Sequence, residues 1–353
     1  MLSGSTAPGA ARSSGRALLF GLLLAGALLA WFFRRVDAAT VVAELGDARW
    51  RWVALAALFQ TAALAARGWR WHALIRRRGE VPLGAAVAAT YAGWVALVVL
   101  PARLGELARP WLLGRRHPID RSFAFGAQLL ERLLDLACLL GLLAVYLGLG
   151  APSAASPAGA ELRADLQRAS RLLSIVVAAL GALVVAAAAA PPLRAALGAR
   201  LGAPQGTVRA RLLDGARAFA AGVTGIRTEG ALAIAGGQSA LLWGVVCAGH
   251  WCLFRAFGLE LPALAVAPLL FLAVLGALVP VPAAVGSYHA AVQLALGTLL
   301  GVPLATATAY ALVSHAVAYG PNLMIGSLLL AADRRAAAGA AGERPRDERH
   351  PVA

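Results

Sequence analysis

Long apolar runs separated by short polar or basic stretches set the pattern of this chain. They fall at 17–33, 52–66, 83–100, 128–150, 172–190, 231–257, 263–281, 284–300 and 304–330. A helix needs about 17–25 apolar residues to cross a bilayer, so the series predicts an all-α, polytopic integral membrane bundle of about eight membrane segments. The run at 52–66 is short, but it extends through Trp50 and Trp69–Trp71, residues suited to an interfacial belt. The first run ends in Trp31-Phe32-Phe33 followed by Arg34-Arg35. A cleaved signal peptide would end in small residues, so an uncleaved span is expected. Two polar segments, near 151–171 and 191–230, interrupt the series. The second reads as an amphipathic surface helix, with Leu212, Phe219 and Val223 opposed to Arg209, Arg211, Asp214 and Arg217. The expected organisation is a disordered cytoplasmic N-terminus at 1–16, a membrane domain at 17–330 and a disordered charged tail at 331–353.

Composition sharpens this picture. Of 353 residues 60% are hydrophobic and 14% charged, against about 45–50% and 25% in soluble domains. A soluble nucleic-acid binder is excluded despite the net charge of +15. All 32 basic residues are arginine, which in so Ala-, Gly- and Leu-rich a chain reads as genomic habit. Their distribution carries the topological signal. If every run simply spans, arginines divide 11 to 20 between the two sides. If 83–113 enters and leaves on one side, 23 fall inside and 8 outside. The re-entrant reading is preferred, with both termini cytoplasmic in a bacterial-type inner membrane. Cys138, Cys247 and Cys252 lie in apolar runs without metal-ligand spacing, and no metal or cofactor is expected.

Three constellations carry candidate chemistry. In Pro101-Ala-Arg103-Leu-Gly105-Glu106-Leu-Ala-Arg109, Pro101 and Gly105 predict a helix break. Arg103, Glu106 and Arg109 share a helical stripe, and two guanidinium forks around one carboxylate suit a phosphate or carboxylate ligand. Solvated loop charge at the membrane surface is the plain alternative. In Glu131-Arg132-Leu-Leu-Asp135, ionisable groups sit inside an apolar run, where they face a cavity or a partner. Pairing of Asp135 or Glu131 with Arg103 or Arg109 is expected, either as a structural ion pair or as part of a gripping site. The third motif, Pro280-Val-Pro282-Ala-Ala-Val-Gly286-Ser-Tyr288-His289, echoes the first, Pro101-x-x-x-Gly105 against Pro282-x-x-x-Gly286. Paired interrupted segments in two halves point to a transporter site. The charge count does not choose between spanning and re-entry for 263–300. His315, with Tyr310, Tyr319 and Asn322 nearby in sequence, is grouped with His289, whereas His250 lacks comparable company. HExxH, GxSxG, Walker A and strand–helix GxGxxG patterns are not found.

These motifs resemble the flippase-like membrane domain of the lysylphosphatidylglycerol synthase family. Val285-Gly286-Ser-Tyr288-His289-Ala-Ala, Gly301-Val-Pro, the helix holding His315 and Gly326, and Arg67-Gly-Trp-Arg70-Trp extend the likeness over about 17–330. Two positions depart from it: Pro282-Ala283 stands where the family often reads Pro-Gly, and His289 where many relatives carry Glu. The resemblance implies a polytopic domain credited with moving a lipid between leaflets. It appears without the synthase half, so no aminoacyl transfer and no enzyme activity are expected. The predicted function is translocation of an anionic lipid or polyprenyl-phosphate headgroup. The candidate ligands are Arg103, Glu106, Arg109, Glu131, Arg132, Asp135, Tyr288, His289 and His315. The partners are membrane lipids; the alternative is an accessory subunit of a membrane transferase.

Overall fold

The computed structural model describes residues 23–34, 36–76, 79–99, 105–149, 156–189, 231–279 and 281–342. Within them the chain is helical, and strands are absent among the described residues. The helices are α1 (Leu23–Phe33), α2 (Ala38–Asp47), α3 (Trp50–Ile75), α4 (Leu83–Val99), α5 (Gly105–Arg116), α6 (Arg121–Gly148) and α7 (Pro157–Ala189). They continue as α8 (Ala231–Ala256), α9 (Val266–Ala277), α10 (Ser287–Gln293) and α11 (Leu304–Gly342). Short 3-10 turns precede α9 and α10, and one π-helical turn, Leu294–Leu299, continues α10.

Ala233–Ala256 and Leu304–Arg335 are long and apolar enough to cross a membrane on length and composition. Helices α3 and α6 are as long. They carry Arg51, Arg67 and Arg70, or Arg121, Glu131, Arg132 and Asp135, and these charges lower their hydropathy.

Two helical hairpins organise the bundle. In the first, α4 and α5 pack antiparallel, with Arg109 beside Gly93 and Gly105 against Leu97. A Cβ at Gly105 would lie 2.0 Å from the Leu97 nitrogen and 2.3 Å from the Ala96 carbonyl carbon. Only glycine permits so close a backbone approach. The helices flanking this hairpin meet at one end: Trp71 Nε1, near the end of α3, donates to the Ala124 carbonyl near the start of α6 (3.4 Å). The hairpin therefore leaves and re-enters the same end of the bundle, as the arginine count anticipates. The second hairpin joins α9 to α10, so 263–300 also doubles back instead of running straight.

Helix α11 packs along α4 and α10. Beyond it, the Arg116–Asp333 ion pair ties α5 to α11 across a cleft of about 390 Å³. The main core holds α8, α9, α10 and α11 residues such as Phe254, Phe271, Val292 and Tyr310.

Three expectations need correcting or bounding. The polar stretch 151–171 is helical from Pro157, because α7 continues the following apolar run toward its N-terminus. The tail expected to be disordered from 331 continues α11 to Gly342, since Ala336–Ala341 is rich in the strongest helix former. The amphipathic segment at 191–230, the N-terminal 1–16 and residues 343–353 lie outside the described residues.

Candidate functional site: a buried arginine cleft

Helical spacing assembles the site. Arg67 and Arg70 lie three residues apart on α3, and Glu131 and Asp135 four apart on α6, so each pair occupies one helix face. The two faces meet. Arg70 Nε is 3.2 Å from Glu131 Oε1 and its Nη1 is 2.9 Å from Asp135 Oδ1. Arg67 Nη1 reaches Asp135 Oδ2 at 2.5 Å. From the hairpin, Arg109 Nη1 donates to Glu131 Oε2 at 2.7 Å, its Nη2 to the Arg67 carbonyl at 3.4 Å, and its guanidinium lies 3.9 Å over the Trp71 ring. Helix α8 closes the network: Ser239 Oγ is 2.7 Å from Arg70 Nη1, and Trp243 Nε1 donates to Asp135 Oδ1 at 3.3 Å.

Arg70 and Glu131 are fully buried, and Arg109 is 4% exposed. Charges so deep are tolerated only when paired and hydrogen-bonded. Arg132 is different. Its side chain is 41% exposed, and it approaches Asp135 only to 3.6 Å. Four guanidinium groups thus surround the carboxylates of Glu131 and Asp135, and with Glu106 close by the arginines outnumber the carboxylates by one.

A cleft of about 100 Å³ opens beside this network, lined by Arg67, Trp94, Gly105, Glu106, Arg109, Gln128 and Arg132 among others. In its wall Trp94 Nε1, Arg109 Nε and Arg132 Nε are buried donors without a partner. Each such orphan costs about 1–3 kcal/mol, which an anion would relieve. The donor set suits an oxyanion and not a metal; the described residues contain no cluster of three metal-ligating side chains.

The candidate residues separate into two places. Glu106, Arg109, Glu131, Arg132 and Asp135 converge here, with Gly105 at the break. The expected Glu131–Arg109 pair forms. Asp135, the other carboxylate named for such a pairing, is held by Arg67 and Arg70, because α6 packs its carboxylate face on α3. Pro101 and Arg103 lie outside the described residues. Arg67 and Arg70 belong to the site although the sequence marked them only as the end of a span. Their one available signal was two arginines three apart, facing apolar neighbours.

Tyr288, His289 and His315 form the second group, at the tip of the α9–α10 hairpin. Gly286 takes φ +84° and its amide donates to His289 Nδ1 at 3.2 Å, while His315 Nε2 lies 2.8 Å from the Ala283 carbonyl. The accepting Nδ1 places the His289 proton on Nε2. Ala283, where the resemblance calls for glycine, sits at φ +50° and Ala284 at φ +54°, a left-handed pair that costs a Cβ-bearing residue about 1–2 kcal/mol each. The rings of Phe32, His289, His315, Tyr319 and Trp94 follow one another at centroid spacings of 5.4, 4.6, 4.3 and 5.2 Å. This ladder links α1 and the second hairpin tip to Trp94 in the arginine cleft. Tyr288 and His289 are buried, with the Tyr288 hydroxyl on Ser314 Oγ at 3.2 Å. Two groupings differ from expectation: His250 does have company, its Nδ1 3.0 Å from the Tyr310 hydroxyl, and Tyr310 therefore belongs to that pair and not to His289.

Helices with apolar exteriors around a buried, cation-rich polar centre define a polytopic membrane protein with an arginine-lined cleft. The chain belongs to the family of the lysylphosphatidylglycerol synthase transmembrane region, whose model matches residues 18–326. It is similar to the glycosyltransferase AglD of Haloferax volcanii, 27% identical over 348 aligned positions that take in 88% of this chain and 54% of that protein. The chain thus spans about half the length of this relative. No solved structure matches it.

Proposed function

We propose that the arginine cleft binds the anionic headgroup of a membrane lipid or polyprenyl phosphate and that the protein moves this headgroup between leaflets. The observation that carries the reading is the set of unpaired, buried N–H donors in a cleft where arginines outnumber carboxylates. Arg109 and Arg132 hold the anion, and Arg103 is assigned the same role. Glu131 and Asp135 keep Arg70 and Arg109 fixed, and the doubled-back hairpins supply broken helices of the kind that line transport paths. His289, Tyr288 and His315 serve the opposite access route through the ring ladder. Both termini face the cytoplasm of a bacterial-type inner membrane, and the protein has no catalytic step of its own.

Arg132→Gln tests this most cleanly, since the half-exposed side chain is not needed to balance the buried network. A charge-assisted hydrogen bond contributes about 1.5–3 kcal/mol, so translocation of a fluorescent anionic lipid in reconstituted vesicles is expected to slow by about tenfold or more. An unchanged rate would remove the assignment. The relative's name, glycosyltransferase, favours a second reading: a non-transporting subunit that presents a lipid to a membrane transferase. Co-purification with a transferase, together with no translocation by the chain alone, would select it.

A further inference from the structure

Gln128 lies on α6 one turn before Glu131, 4% exposed, in the wall of the arginine cleft. Its orientation has a local cause. Pro110 has no N–H, so within α5 the Glu106 carbonyl loses the donor four residues on. Gln128 Nε2 replaces it, donating to that carbonyl at 2.7 Å. The amide is thereby held with Nε2 on α5, and its Oε1 is a buried acceptor without a partner. The cleft therefore carries three orphaned donors, Trp94 Nε1, Arg109 Nε and Arg132 Nε, and one orphaned acceptor.

The geometry points to a ligand of mixed inventory: a phosphate that accepts from the donors and, beside it, a neutral hydroxyl that donates to Gln128 Oε1. This rests on the headgroup reading above and narrows it to hydroxylated phosphate headgroups, such as a polyol or sugar esterified to phosphate. A fully ionised phosphate with no neighbouring hydroxyl has no hydrogen to give and leaves Oε1 unpaired. An ammonium group could donate, but it would enter a site where four guanidinium groups still outnumber the three carboxylates of Glu106, Glu131 and Asp135, and a like charge is disfavoured there. Gln128 is then the residue that sets headgroup specificity, while the arginines supply affinity.

Competition in detergent, read by native mass spectrometry, tests this. The purified protein is offered equimolar phosphatidylglycerol and phosphatidylmethanol, which share charge and chains but differ in the hydroxyls. Leaving one buried acceptor unpaired costs about 1–3 kcal/mol, so retention of phosphatidylglycerol is expected to exceed that of phosphatidylmethanol by about tenfold. In Gln128→Leu the preference should vanish while anionic lipids are still retained over phosphatidylcholine. Equal retention of the two anionic lipids by the unsubstituted protein overturns the specificity role and leaves the headgroup site standing, and it does so even if Gln128→Leu fails to fold. Phosphatidylethanolamine retained above phosphatidylglycerol also overturns it. Retention of neither anionic lipid above phosphatidylcholine overturns the headgroup site itself.

Discussion

Glu131→Gln is expected to lower the stability of the purified protein by about 3–5 kcal/mol, the cost of leaving a buried cation without its counter-charge. Glu131 is fully buried and serves two arginines at once, Arg70 at 3.2 Å and Arg109 at 2.7 Å. Arg70 keeps Asp135 at 2.9 Å after the substitution. Arg109 is left with the Arg67 carbonyl and the Trp71 face, neither of which carries a full negative charge. The loss should therefore come chiefly from the stranded Arg109 charge. The double variant Glu131→Gln, Arg109→Met, which removes both members of that pair, should recover part of it. Unfolding midpoints in mixed micelles, compared through the double-mutant cycle, check both statements. A single variant as stable as the parent, or a double variant worse than the sum of its parts, would show that the network is not held together by this pair.

Gly105→Ala is the second large effect. The added Cβ would meet the Leu97 nitrogen at 2.0 Å and the Leu97 Cα and Ala96 carbonyl carbon at 2.3 Å. These are main-chain atoms of a neighbouring helix, so no side-chain rotation makes room, and α4 and α5 must separate. Overpacking in a tight core costs about 1–3 kcal/mol where side chains can adjust; here the cost should be at least at the top of that range. Because the hairpin carries Arg109 and Glu106 on one arm and Trp94 on the other, lipid retention should fall together with the melting temperature. Gly141→Ala on α6 is the control. Its Cβ would meet nothing within 4 Å, and in a helix interior alanine is favoured by about 0.5–1 kcal/mol. Equal behaviour of the two variants would mean that the close approach at Gly105 is not what holds the hairpin shut.

How far these residues could be read in advance depends on whether their partners share their helix. Hydropathy alone marks α8 and α11, whose apolar stretches are long. Pro282 with Gly286, and Gly105 after Pro101, mark the interruptions, because ring closure and the missing Cβ act on the local backbone wherever the chain lies. Glu131 and Asp135 stand out for a similar reason: carboxylates in an apolar run need company. Gln128 carries no comparable signal. A glutamine at a helix position costs nothing by itself, and its importance arises from Pro110 on another helix, which frees the carbonyl that orients it. Arg67 and Arg70 are similar. At the end of a span they read as cytoplasmic charge, and only the antiparallel seating of α3 on α6 turns them inward.

By itself, then, the sequence determined an all-α membrane protein, the ends of most of its helices, the two broken segments and a surplus of arginine near one of them. All of these follow from forces acting along a single helix: burial of apolar side chains, spacing at 3.6 residues per turn, and the backbone limits of proline and glycine. Tertiary structure decided which charges meet, that the second broken segment doubles back like the first, and that one tryptophan connects the two hairpins. A buried charge takes whichever counter-charge the packing brings within reach, and that choice is set by the contact of helix faces far apart in the chain.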